Sequence, residues 1–199
     1  PGLQPRAARQ PSVARDHRVS GGGFQLRLTL LKGLRVVEFP GNPGARHCGR
    51  MFAMLGADVI RLDTGECQEI GESMRRFADV YFDRHKTVVP YSTNEARDAL
   101  ASADVAIGGG PSSPPQAVLD ELANDHLVAV QVTGFEADGP YGSWKATSLI
   151  HMAASGWLSV YGDPDRPPMR TTEFQPYIQA GLHAFAAAMA ALLERRRSG

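Results

Sequence analysis

Residues 35–63 constrain the fold more than any other stretch, because they have the pattern of a strand, a helix and a second strand. Residues 35–39 are a short β-branched run in which Glu38 is the one polar residue among Val36, Val37 and Phe39, as in a parallel strand that is buried on both faces. Residues 45–56 repeat apolar side chains at helical spacing and end at Gly56, and residues 57–63 form the second strand. The two strands are therefore predicted to be parallel neighbours joined by a right-handed crossover.

The predicted helix has two unlike faces. Its apolar stripe, which should lie on the sheet, consists of Cys48, Met51, Phe52 and Leu55. The opposite face carries most of the polar side chains, namely Arg46, His47 and Arg50.

The same alternation continues along the chain. Further strands are predicted at residues 87–89, 104–107 and 127–132, and helices follow the capping boxes at 92–95 and 113–116. Five such strands predict an α/β fold with a doubly wound, mostly parallel, Rossmann-like sheet flanked by helices. A long helix is predicted at residues 177–197, with its large apolar side chains on one stripe and alanines elsewhere: Leu182, Phe185, Met189, Leu192 and Leu193.

Composition excludes several classes of function. The 199 residues suit one domain, and 21 basic residues balance 21 acidic ones, so nothing favours nucleic acid or a membrane as partner. Cys48 and Cys67 have neither the number nor the spacing of a disulfide framework or a zinc site, so no metal is expected and a reducing cytoplasm is the simplest compartment.

Residues 1–30 are expected to be a basic, flexible tail, either an expression tag, a disordered arm or an Arg-rich transit peptide.

Eight short blocks together resemble the N-terminal half of the family III CoA-transferases, which include formyl-CoA transferase, carnitine CoA-transferase and the α-methylacyl-CoA racemases. The blocks occur in family order at residues 31–38, 55–63, 83–86, 103–105, 134–135, 139–141, 153–157 and 180–195. The resemblance implies that residues 31–199 are the N-terminal part of a protein about twice this length, whose chains interlock as a dimer. It also implies a CoA thioester and a carboxylic acid as substrates, with no tightly bound cofactor. The resemblance therefore implies that the chain is completed by a C-terminal part or by another subunit, in a homodimer or a hetero-oligomer.

The resemblance does not supply a catalytic residue. The family nucleophile is an aspartate four residues before the glycine of the last block, and this chain has Tyr177 there. A phenol, with a pKa near ~10, is mostly protonated at neutral pH and is a poor substitute. Glu173 is the nearest carboxylate, although a solvated loop acid is its simpler interpretation. The histidine position of the racemases holds Thr147, with His151 one turn later, so racemization is disfavoured.

Contacts with CoA are expected at six positions, and the resemblance itself points to two of them, Lys145 and Tyr91. Lys145 matches a family lysine and would meet a phosphate, although an exposed lysine is the competing interpretation. Tyr91 falls where the family supports adenine, although it would equally suit packing. Gly109 and Gly110 follow the fourth predicted strand and would let backbone N–H groups approach a phosphate. Arg84 and Arg46 are further phosphate candidates.

Three functions are open on the sequence. The first is a CoA-transferase family protein that binds CoA or acyl-CoA and takes part in transfer of CoA between carboxylic acids. The second is a non-catalytic subunit or degenerate half that acts as a partner or scaffold, because the aspartate is missing. The third, a nucleotide-dependent reductase, is disfavoured because the glycine triplet is in the wrong place for a dinucleotide fingerprint.

Overall fold

A computed structural model describes residues 28–64, 72–110, 126–136 and 138–198. Within them lies a five-stranded sheet in the order β3-β2-β1-β4-β5, and every neighbouring pair is parallel. The strands are β1 (Arg35–Gly41), β2 (Asp58–Asp63), β3 (Thr87–Pro90), β4 (Val105–Gly109) and β5 (Val128–Gln131). The helices are α1 (Pro43–Met54), α2 (Glu72–Phe82), α3 (Thr93–Ala101), α4 (Ser148–Ala154) and α5 (Gln175–Ser198), with a 3-10 turn at Trp157–Ser159. The predicted α/β class, with a mostly parallel sheet and a long C-terminal helix, is confirmed.

Some predicted boundaries are wrong by a few residues. Helix α1 begins at Pro43 rather than at residue 45, because Asn42 caps it and proline suits a first helical position. Strand β4 continues through Gly108 and Gly109, which were expected in a loop. The capping box of α3 is confirmed, since the Ser92 hydroxyl accepts from the Glu95 N–H and donates to its carboxylate. The predicted helix after residue 113 and Cys67 lie outside the described residues.

The sheet separates two apolar layers. On one face, α1 and α5 pack over a core that includes Val36, Phe52, Val105 and Ala188. On the other face, α3 covers the core members Val37, Phe39, Leu62, Ala96, Leu100 and Ala106. Strand β1 contributes to both layers, as its apolar sequence predicts.

Helix α5 packs on α1 through its smallest residues. Gly181 and Ala188 are buried, and a Cβ added at Gly181 would lie 2.6 Å from the Gly44 carbonyl oxygen. Leu182 and Leu193 are 38% and 60% exposed, so their predicted place on the buried stripe is wrong, because close backbone approach selects the glycine and alanine face instead. Helix α5 is also long and apolar enough to cross a membrane, a property that core helices of soluble proteins share.

The polar side of α1, opposite its predicted apolar stripe, is buried at Arg46 and His47. Arg46 is 1% exposed, because its guanidinium lies against Asp79 of α2 and against Asp83. His47 is 4% exposed, because its ring stacks on Tyr81 of α2 and its Cβ lies beside Gly181 of α5. Burial lowers the pKa of His47 from 6.5 to about 4. The imidazole is therefore neutral at pH 7.

Five buried charges lie between β1, β2, α1 and the turn that leads into β3. Lys86 Nζ lies 2.5 Å from Glu38 Oε2 and also donates to the Arg46 carbonyl at 2.8 Å. Arg46 and Arg61 both reach Asp83 Oδ2, at 2.6 and 3.2 Å. Burial raises the pKa of Glu38 and lowers the pKa of Lys86, while the attraction between the two opposes both shifts. We call Glu38, Arg46, Arg61, Asp83 and Lys86 the charge cluster.

Candidate functional site

At the carboxyl edge of the sheet the strand order reverses between β1 and β4, and we call this point of reversal the crevice, after the position that ligands take in open α/β sheets. After β1 the chain builds outward through β2 and β3, then returns to place β4 and β5 on the other side of β1. In open α/β sheets of this kind, ligands bind outside the carboxyl ends of the strands at the point of reversal. Here that point lies between the ends of β1 and β4.

Asn42 ties the strand ends together at this point. Its side-chain amide donates to the carbonyls of Gly109 and Val132, at 2.9 and 2.6 Å, and its side-chain oxygen accepts from the Ala45 N–H at 3.0 Å. One side chain therefore fixes β1, β4 and the residue after β5 while it caps α1. The Asn-Pro pair at the start of an apolar helical pattern is the sequence signal that predicts such a cap, and our helix boundary missed it.

The two glycines predicted to contact a phosphate have different surroundings. Gly109 is buried, and a Cβ there would lie 2.5 Å from the Asn42 nitrogen and 2.8 Å from the Gly41 Cα. Gly110 is the next residue, and a Cβ on it would meet nothing within 4 Å. Gly109 is thus required for the close approach of β1 and β4, whereas Gly110 adjoins open space at the crevice.

Tyr91 and Lys145 lie toward opposite ends of this edge. Tyr91 directly follows β3, the outermost strand on one side, and its N–H donates to the Asp63 carbonyl at 2.8 Å. Lys145 is exposed and precedes Ala146, which packs against Gly134 beyond the end of β5. Strands β3 and β5 are four strand spacings apart, or about 19 Å, so the edge suits an extended ligand rather than a compact one.

Tyr177 also lies at this edge. It is 6% exposed in the first turn of α5, its carbonyl oxygen lies beside Gly44 at the start of α1, and its ring meets His151 of α4 at 6.0 Å between centroids. Desolvation lowers the pKa of His151, and a weaker interaction with the Gly134 backbone opposes that shift. The position that the resemblance assigns to the nucleophile is therefore next to the crevice, but an aromatic pair occupies it.

The arginine candidates for phosphate lie elsewhere. Arg46 is wrong as a phosphate ligand, because its guanidinium is buried against Asp79 and Asp83. Arg84 is exposed and precedes β3, whereas Tyr91 follows that strand, so the two flank opposite ends of β3. Glu173 is exposed ahead of α5. The described residues hold no group of three or more His, Cys, Asp or Glu side chains that could bind a metal ion.

Comparison with known proteins identifies relatives at the level of family. The family model described as CoA-transferase family III matches residues 119–199. A succinate–glutarate CoA-transferase from Agrobacterium fabrum is 26% identical over 196 residues, which cover 85% of this chain and 48% of that protein. A formyl-CoA:oxalate CoA-transferase from Streptomyces avermitilis is 27% identical over 186 residues, which cover 85% of this chain and 45% of that protein. The chain is related to the family III CoA-transferases.

Solved structures agree with this relationship. The crystal structure of a CAIB/BAIF family protein from Brucella suis matches with a TM-score of 0.69 and 26% identity, over 86% of this chain and 51% of that protein. The crystal structure of a hypothetical protein from Mycobacterium tuberculosis matches with a TM-score of 0.67 and 25% identity, over 86% of this chain and 52% of that protein. The chain thus spans about half the length of the family III relatives that it matches, and the predicted resemblance to their N-terminal half is confirmed.

Two of the blocks that carry the family III resemblance have a structural explanation. The block at 83–86 supplies Asp83 and Lys86 to the charge cluster, and the first block supplies Glu38. His85, between them, has a φ of 69°, a backbone conformation that few non-glycine residues adopt and that turns the chain into β3. These residues hold α1 and α2 against the sheet beneath the candidate site.

Proposed function

We propose that this chain binds CoA or an acyl-CoA at the carboxyl edge of its sheet and takes part in the transfer of CoA between carboxylic acids. The observation that carries the proposal is the reversal of strand order between β1 and β4, because Tyr91, Gly110, Lys145 and the Tyr177 position all flank that one edge of the sheet. The relationship to family III CoA-transferases supplies the chemistry. We further propose a cytoplasmic protein that works as an interlocked homodimer or together with another subunit.

The dimensions of the carboxyl edge suit CoA, which is a long molecule that carries its phosphates at one end. An edge about 19 Å wide can accept it lengthwise. Lys145, exposed beyond β5, would pair with a phosphate as a point charge. Adenine and the phosphates are at the same end of CoA, so a phosphate on Lys145 would leave Tyr91, partly buried beside the α3 layer at the opposite end, to contact the pantetheine arm rather than adenine. Gly110 would let a ligand approach the backbone between these two residues.

The second candidate function, a non-catalytic subunit, is favoured by Tyr177. In the resembling family a carboxylate attacks the thioester, which gives a mixed anhydride and then an enzyme thioester. A phenol buried against His151 and α1 has neither the charge nor the access for that attack. We therefore propose that another polypeptide supplies the nucleophilic carboxylate, and that this chain supplies CoA contacts or support.

Replacing Lys145 with alanine is expected to weaken CoA binding by ~1 kcal/mol or more, because one charge-assisted contact with a phosphate is lost. Isothermal titration of CoA into the wild-type and variant chains measures this difference. Lys32→Ala is a matched control, because Lys32 is an exposed lysine in the turn before β1, at the other edge of the sheet. Equal affinities of wild-type and Lys145→Ala chains would remove Lys145 from the site.

The chain alone is expected not to transfer CoA, because the position of the nucleophile holds Tyr177. The assay follows CoA thioesters by chromatography with the substrate pairs of the relatives, formyl-CoA with oxalate and succinyl-CoA with glutarate. Binding of CoA without transfer would support the non-catalytic subunit. Transfer by the wild-type chain alone would contradict it, and Glu173→Gln would then test the nearest carboxylate.

A further inference from the structure

A second concave surface lies away from the carboxyl edge, between α1 and α2. It is an open cleft of about 500 Å³, within the range of small-molecule sites. Its wall consists of one residue of α1, four of α2 and one of the turn after α2: Arg50, Arg76, Phe77, Val80, Tyr81 and Arg84. Only Arg84 belongs to the CoA contacts expected from the sequence, and it lies at the opposite end of β3 from Tyr91.

The cleft is positively charged because the nearby acids are engaged elsewhere. Asp79 and Asp83 both bind Arg46, and neither lines the cleft. The wall therefore carries three guanidinium groups and no carboxylate. Arg76 and Arg84 are exposed and form no ion pair with a side chain that the structure describes. Such groups suit oxyanions such as phosphate, because their planar forks match two of its oxygens at once.

The same wall is unusually apolar for a solvent-facing helix. Phe77 and Val80 are 67% and 63% exposed, although the buried side of α2 already has its own apolar residues, Ala78 and Phe82. Arg50 is fixed above the Tyr81 ring, with its carbon 4.2 Å from the centroid, and donates to the Tyr81 carbonyl. A stacked guanidinium and ring beside an exposed phenylalanine form a surface on which a flat aromatic group can lie.

We propose that this cleft binds a phosphate monoester of a flat aromatic group, of the size of a nucleotide. The phosphate would lie between Arg76 and Arg84, and the aromatic group would lie on Phe77 and beside the Arg50–Tyr81 pair. A ligand with both groups accounts for the whole cleft. Free phosphate would not contact the exposed rings, and an apolar ligand would offer the three arginines no anionic partner. The proposal is independent of CoA binding, since none of its residues lies at the crevice between β1 and β4.

The test is titration of the whole chain with adenosine 5′-monophosphate, and separately with adenosine and with inorganic phosphate. We expect the nucleotide to bind at least about tenfold more tightly than either fragment, because both halves of the cleft are then filled. Arg76→Gln and Arg84→Gln should each weaken binding by about tenfold through loss of a charged hydrogen bond. Phe77→Ser should weaken the nucleotide but not inorganic phosphate.

Two controls keep the result specific. Arg197→Gln removes one positive charge at the far end of α5 and should leave nucleotide affinity unchanged. Lys145→Gln should also leave it unchanged, which separates this cleft from the proposed CoA site. The proposal is overturned if the nucleotide does not bind, if inorganic phosphate binds equally well, or if Lys145→Gln weakens binding while Arg76→Gln does not.

Discussion

Replacing Lys86 with methionine is expected to lower the free energy of unfolding by about 3–5 kcal/mol, the cost of leaving a buried charge without its partner. Lys86 is fully buried, and its ammonium group holds both the Glu38 carboxylate and the Arg46 carbonyl. Methionine fills most of the same volume but donates no hydrogen bond. Denaturant unfolding followed by circular dichroism measures the difference.

The double variant Glu38→Gln with Lys86→Met separates charge from packing. It removes one negative and one positive charge together, so that Arg61 and Arg46 remain paired with Asp83. We expect it to recover much of the stability that Lys86→Met loses, as cycles on coupled residues do. Arg84→Met, two residues away and exposed, should change stability by less than about 0.5 kcal/mol. A Lys86→Met variant as stable as the Arg84→Met control would show that the charge cluster does not hold α1 to the sheet.

Periodicity predicted the strands but not the charge cluster, and the reason is physical. Patterns of apolar spacing treat Arg46 and His47 as solvent-facing because of their chemistry. Yet α2 and the turn after it bind Arg46, and α5, more than a hundred residues later, lies against His47. The usable signal was Glu38. A single carboxylate inside a strand that is otherwise apolar requires a buried cation, and Arg46, Arg61 and Lys86 were the basic residues nearest in the predicted topology.

The candidate site, too, could be predicted from the sequence only in part. Parallel strands end at one edge, so the sequence could predict that Tyr91 and Gly110 would share it. It could not predict that Tyr177 would pack on His151 and on the start of α1, because that contact depends on how two helices far apart in sequence dock. Hydrophobic periodicity also cannot predict where two backbones approach closely. A glycine required for such an approach and a glycine that gives a loop its flexibility look the same in the sequence.

Gly109 and Gly110 offer a direct test of that last distinction. Gly109→Ala is expected to cost about 1–3 kcal/mol, the usual range for overpacking, and to fall at the upper end. Its Cβ would lie 2.5 Å from the Asn42 nitrogen and 2.8 Å from the Ala45 Cβ, and the neighbouring atoms are backbone or short side chains that cannot swing away. Gly110→Ala, one residue later, places its Cβ in open space and should unfold at nearly the wild-type denaturant concentration.

Comparing these two variants in CoA binding then assigns each glycine a role. Gly110→Ala should keep the fold and weaken CoA binding, if the ligand approaches the backbone there as proposed. Gly109→Ala should lose stability first, because the clash separates β1 from β4 and strains the two hydrogen bonds that Asn42 donates to the Gly109 carbonyl. Equal stability of the two variants would mean that β1 and β4 can accept a methyl group between their carboxyl ends without a steric clash. The crevice would then be set by something other than the contact between Gly41 and Gly109.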